Sequence, residues 1–182
     1  MFRFLYATVI GVVGAGLIHL AVILLLPLFS SNDVWQQIEA QSQPYEIVRL
    51  DGRADRFAAA RVFDPNFAVF ACRFNLADGV FWIRSPGNID YWSVAVFDDR
   101  GAILFSANDR IAATKAIDLS VALQPQIRFL RQNPKALLEN SIMTGAARRE
   151  GFAVVRIFRP DPSWEPVVER FASQMRCTSL PV

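Results

Sequence analysis

The stretch from Phe4 to Phe29 constrains the rest of the chain more than any other feature. It runs for 26 residues, 20 of them apolar, without one charged side chain. As a helix it would reach about 39 Å at ~1.5 Å per residue, enough to cross ~30 Å of hydrocarbon with some tilt. A secretory signal peptide has a shorter apolar region of ~7–15 residues and a small-x-small cleavage site. Here the run ends Leu26-Pro27-Leu28-Phe29-Ser30-Ser31, with no Ala-x-Ala. It reads as an uncleaved transmembrane anchor. Arg3 and the α-amine precede it, while Ser30, Ser31, Asn32 and Asp33 follow. Positive-inside logic places the N-terminus in the cytoplasm and the remainder across the membrane.

Ala7, Gly11, Ala15 and His19 recur every four residues inside the span, so they share one helix face. Rows of small residues let a second membrane helix approach closely, because packing must replace the hydrophobic drive that lipid does not supply. Glycine and alanine are also common in membrane helices for no such reason. His19 is the only histidine in the chain, and a polar side chain at mid-span usually faces protein or water. These residues read as a partner-helix face, with an incidental stripe as the alternative.

Outside the anchor roughly half of the residues are apolar, an ordinary globular proportion. The length allows one domain of common size beyond the anchor. Basic and acidic residues nearly balance, at 19 and 17, and are interleaved rather than clustered. This is a solvated surface and not a nucleic-acid stripe. The chain divides into a cytoplasmic stub and anchor (1–31), a short juxtamembrane helix and linker (32–44), and an extracytoplasmic domain (45–182).

Asp33–Ala40 predicts a short helix at the membrane surface, with Trp35 at headgroup level. Beyond Pro44 the pattern turns to strands. In Phe67–Leu76, the residues Ala68, Phe70, Cys72, Phe74 and Leu76 form one apolar face. Asp78-Gly79 signals a hairpin into Val80–Arg84. Tyr91–Phe97 is apolar on both faces, as a central strand is. Asp98-Asp99-Arg100-Gly101 turns into Ala102–Ala107, with Gly101 suited to a left-handed bulge position. Further strands are expected at 45–50, 117–123, 126–131 and 152–159, and a short helix at 134–139. Ser163 caps a terminal helix whose Trp164, Val167, Val168, Phe171 and Met175 make an apolar stripe. The expected fold is mainly β: an antiparallel sandwich or partial barrel covered by a C-terminal helix and preceded by one transmembrane helix.

Two cysteines remain, Cys72 and Cys177. Outside the cytoplasm a disulfide between them is permitted and would staple the terminal helix to the sheet. The alternative is two separate thiols, with Cys72 a small core residue. Two cysteines and a membrane histidine do not make a zinc site, so no metal or other cofactor is expected. Nor can a Ser-His-Asp or Cys-His pair form in the domain. Asp90, Asp98 and Asp109 lie near the ends of one predicted hairpin. Converging on one rim, they would supply the carboxylates of a hydrolase.

Several segments read together: Asp64-Pro65-Asn66-Phe67-Ala68 with Cys72-Arg73-Phe74-Asn75-Leu76; Tyr91-Trp92-Ser93-Val94 with Asp98 and Asn108-Asp109-Arg110; and Gly151-Phe152 to Pro160-Asp161-Pro162. The combination resembles a proteobacterial family, domain of unknown function twelve fifty-four, in its short membrane-anchored form. That family has no established general activity. Its longer members carry a companion domain of unknown function, twelve fourteen, for which this chain is too short. The resemblance implies a bacterial inner-membrane protein with a periplasmic domain and, as partner, a second single-span protein carrying the companion. Tyr91, Trp92, Asn108, Asp109 and Arg110 then read as a recognition patch, or as turn and ion-pair residues. Three functions follow in order of preference. The first is a non-catalytic anchor in an envelope complex, touching membrane lipid and a partner helix. The second is a binding module for a lipid or cell-wall fragment, and the third a carboxylate hydrolase.

Overall fold

The computed structural model describes residues 2–52, 63–87, 89–112 and 115–182, with backbone alone at 27–33. Its first element is one helix, α1 (Phe2–Gln41), 40 residues long and continuous through Pro27. The expected break between anchor and juxtamembrane helix is absent. Residues 30–33 are polar yet compatible with helix, and Trp35 and Ile38 resume an apolar face one turn apart. Residues Phe2–Leu26 form the apolar part, with a mean hydropathy of 2.7 and no side chain buried in the protein. The last turns pack onto the domain instead. Trp35 is therefore a core residue and not a headgroup anchor: it is 8% exposed, and Ile38 1%.

Among the described residues nine strands follow in two sheets. The first sheet runs β1 (Ile47–Arg49), β2 (Phe67–Asn75), β8 (Glu150–Phe158), β4 (Trp92–Asp98) and β5 (Ile103–Asn108), antiparallel throughout. The second runs β7 (Ile142–Ala146), β6 (Ile117–Leu123), β3 (Val80–Ser85) and β9 (Arg176–Leu180). Here β6 and β7 are parallel, so this sheet is mixed. The mainly β architecture with one C-terminal helix is the expected one, although β9 follows that helix and ends the chain's ordered elements.

The predicted apolar face of β2 looks inward. Ala68, Phe70, Cys72 and Phe74 meet Phe81, Ile83, Leu119 and Val121 of the second sheet in one buried core, with Phe74 and Phe81 rings stacked at 4.5 Å. The opposite face of the same sheet is buried as well. Val69, Ala71 and Phe152 there receive Trp35 and Ile38 of α1, together with Val48 and Leu50. A strand covered on both faces reads as a continuous apolar run, which β2 and β8 do.

Asp78-Gly79 does turn the chain, but not into a hairpin. Both edges of β2 are already occupied by β1 and β8, so β3 crosses to the second sheet. Gly79 sits there at φ +140° against the Leu180 backbone, where a side chain would not fit. The β4–β5 turn is a true hairpin, with a bulge at Val96/Phe97 and Gly101 at φ +78°.

Residues 126–131, expected as a strand, lie in helix α2 (Gln124–Gln132). Ile127 and Leu130, three apart, cover Val80, Trp82 and Ala122 on the outer face of the second sheet. Helix α3 (Glu165–Gln174) buries Val168 and Phe171 in the central core. Its entry is shaped by Asp161, whose carboxylate accepts from the Ser163 N–H at 2.8 Å, rather than by a Ser163 cap. Cys72 of β2 and Cys177 of β9 form a disulfide that joins the two sheets beside α3, with a Cα–Cα distance of 6.7 Å.

Candidate functional site

Two places carry the sequence-derived candidates: α1 with its seat on the domain, and the end of the β4–β5 hairpin. On α1, Ala7, Gly11, Ala15 and His19 are all exposed. A methyl added at Gly11, Gly14 or Gly16 would meet nothing within 4 Å. The face is therefore open along the whole span. At the other end the helix is fixed. The Trp35 ring lies 6.1 Å from Phe152, and the Arg73 guanidinium sits 5.8 Å over the same indole. Arg73 also pairs with Glu39 at 3.3 Å. An apolar seat with a cation over its indole and an ion pair one turn along locks both the position and the rotation of the helix. Burying Trp35 and Ile38 contributes about 1.5–3 kcal/mol each.

The hairpin candidates separate. Trp92 is 1% exposed and its indole N–H donates to the Lys115 carbonyl at 2.6 Å. It belongs to the core, not to a surface patch. Tyr91 is half-buried, edge-on to Phe67 at 6.1 Å. The Asn108 side chain accepts from the Arg110 N–H at 3.2 Å, closing a turn. Arg110 is exposed, and Asp109 is half-buried with one carboxylate oxygen that finds no donor among the described residues.

Asp98 does not converge with Asp109. The Asp109 N–H bonds the Trp92 carbonyl, level with the start of β4. Asp98 ends the same strand, which places the two ~20 Å apart at ~3.3 Å per residue. Asp98 is buried and spent on its own turn, accepting from the N–H groups of Arg100 and Ala102 at 2.9 Å. Asp98 is therefore out of reach of Asp109 for two-carboxylate chemistry. Among the described residues no three His, Cys, Asp or Glu side chains are placed to hold a metal ion.

Sequence spacing gives no sign of a charge network whose two halves lie over a hundred residues apart. Arg49 on β1 binds Asp51, Glu165 and Glu169, and Arg159 binds Glu165 at 2.7 Å. Arg49 also lies 5.7 Å over the Phe70 ring. The Arg49 guanidinium, helped by Arg159, holds the Glu165 carboxyl down at about 2, against a burial effect in the other direction. The network ties the first turn of α3 to the edge of the first sheet. It is saturated with partners and reads as a fastening. On the opposite rim Arg148 grips Asp99, which lowers that carboxyl. An open polar cleft of about 450 Å³ lies there, lined by Asn75, Asp99, Arg148, Arg149 and Glu150 among others.

No family model matches the chain, and no curated protein matches it. Solved structures do. The chain is similar to the VPA0106 protein from Vibrio parahaemolyticus at 12% identity and a TM-score of 0.61. The match covers 85% of this chain and 36% of that one, so the chain spans about a third of that protein's length. A likeness at this identity establishes a shared fold. An uncharacterised protein from Burkholderia cenocepacia aligns at 15% identity and a TM-score of 0.46, over 72% of this chain and 34% of that one.

Proposed function

We propose that the protein is a non-catalytic, single-pass inner-membrane subunit whose periplasmic β-sandwich works in a cell-envelope complex. The observation that carries this reading is the unbroken α1, whose last turns are built into the core of the domain. A cleavable leader has no reason to share one helix with the domain's packing; an anchor does. Such an anchor holds the sandwich in a set orientation against the bilayer, with no slack between them. Any helix that binds the span would therefore also meet the domain in a defined pose. The open row Ala7, Gly11, Ala15 and His19 supports a second single-span protein as that helix's source. The disulfide supports the oxidising side of the membrane.

The resemblance to family twelve fifty-four belongs to the same reading. A partner carrying the companion domain twelve fourteen would restore as two chains what longer members hold in one. That this fold occupies 36% of the Vibrio structure is compatible with such a division.

Photo-crosslinking in native membranes tests the proposal. A crosslinkable residue replacing Gly11 or Ala15 is expected to capture one single-span protein. The same probe at Val13, on the opposite face, is expected to capture none. Equal capture from both faces, or none from either, would remove the partner face.

A further inference from the structure

The last turns of α1 lie on the outer face of the first sheet. Trp35 meets Phe152 on β8, and one turn later Glu39 pairs with Arg73 on β2. The helix thus advances from β8 toward the β1 edge. Continued backwards on that line, toward the apolar span, it would pass the β4 side and then β5. Neighbouring strands are ~4.8 Å apart, so β5 lies about 10 Å from β8. That is the rise of roughly six to seven helical residues, counted back from Trp35 to residue 28 or 29. The apolar run ends at Phe29. On that line the edge strand β5 would be level with the end of the span and would run along the membrane plane. β7 of the second sheet lies beside β5 on this edge. The disulfide, α3 and the Arg49 network lie by the opposite edge.

The surface chemistry of this edge suits that position. Ile103 pairs with Phe97 in register and is 67% exposed; Ile111, just past β5, is 58% exposed. Met143 of β7 is exposed too. Single exposed isoleucines are ordinary, but these two have cations beside them: Ile103 lies between Arg100 and Arg110, and Ile111 directly follows Arg110. Arg100 precedes β5 and Arg110 follows it, both exposed, and neither closes a salt bridge among the described residues. The acids nearby are Asp99, held by Arg148; Asp98, held by its turn; and Asp90 and Asp109 at the Arg110 end. An exposed edge strand also presents unpaired backbone groups that invite unwanted pairing unless covered.

Resting on the reading of α1 as a membrane anchor, we infer that the β5–β7 edge lies in the headgroup layer of the bilayer that α1 crosses. Ile103 and Ile111 touch lipid there, and Arg100 and Arg110 meet phospholipid phosphates. The domain is then seated on the membrane by its sandwich edge, with the disulfide-bearing edge pointing away.

The test uses the full chain in vesicles of phosphatidylcholine and phosphatidylglycerol, with Cys72–Cys177 left oxidised. A nitroxide is attached in turn at Leu17→Cys in the span, Ile103→Cys on the edge, and Val167→Cys on α3. Collisions with oxygen and with a water-soluble nickel chelate report depth. The oxygen-to-nickel ratio at 103 is expected to be severalfold above that at 167 and below that at 17. A ratio at 103 equal to that at 167, with 17 deep in lipid, would overturn the seating and leave the anchor intact. An aqueous label at 17 would overturn the anchor and the seating together. Arg100→Gln with Arg110→Gln is expected to raise nickel access at 103; no change would remove the phosphate contacts.

Discussion

Ile38 decides whether α1 is part of the domain or merely attached to it. It is 1% exposed, in a cluster with Trp35, Val48, Leu50, Val69, Ala71 and Phe152. Ile38→Ala removes three carbons, about 2.5 kcal/mol in transfer terms at ~0.8 kcal/mol each. The cavity adds to this, because strands on one side and a helix on the other cannot close on it freely, so a loss of about 3 kcal/mol is expected. For a domain of this size that is roughly a 10 °C drop in Tm. The assay is thermal unfolding of the full chain in mild detergent, followed by near-UV circular dichroism. Val22→Ala, on an exposed position of the span, is the control and is expected to leave the domain transition unchanged. A loss below about 0.5 kcal/mol for Ile38→Ala would refute the reasoning, since that is the range of surface substitutions.

Three further outcomes are expected. Reducing the Cys72–Cys177 bridge, which spans 105 residues, should lower stability by about 2–5 kcal/mol; melting with and without reductant checks this, and coincident curves would contradict it. Gly151→Ala should destabilise by about 1–3 kcal/mol through overpacking, because its methyl would collide with the Phe97 carbonyl and come within 2.6 Å of the Phe74 ring; chemical denaturation reads the change. The Glu165 carboxyl is lowered from 4.5 to about 2 in the folded state, so its stabilisation is complete above about 4.5 and is lost as pH falls toward 2. Glu165→Gln should flatten that part of the pH–stability profile, and an unchanged acid limb would show that the Arg49 network is not a fastening.

Much of the sandwich was legible because strand alternation is strict where one face meets a core. Ala68, Phe70, Cys72 and Phe74 announce their face, and Gly101 its bulge, through local rules that tertiary contacts then obey. Other features depend on what lies opposite. Turn chemistry at Asp78-Gly79 says that the chain reverses, but not which sheet receives it. Residues 126–131 are helical because the i, i+3 pair Ile127 and Leu130 finds an apolar sheet face to cover. β7 and β9 are short and half-exposed, so neither leaves a periodic trace. Polar residues at 30–33 looked like a boundary, yet nothing there breaks a helix. In the candidate site, sequence proximity misled. Asp98 and Asp109 flank one hairpin, but strand length holds them apart, while Arg49 and Glu165 meet only because α3 returns to the β1 edge.

The central claim is that the rigidly seated anchor pairs with the helix of another envelope protein. Purification from native membranes in mild detergent, with mass spectrometry of whatever remains bound, tests it most directly. The account predicts a stoichiometric single-span partner with the wild-type chain, lost in the Gly11→Leu, Ala15→Leu variant while the domain stays folded. A chain that purifies alone, or a partner that stays bound to that variant, would contradict it.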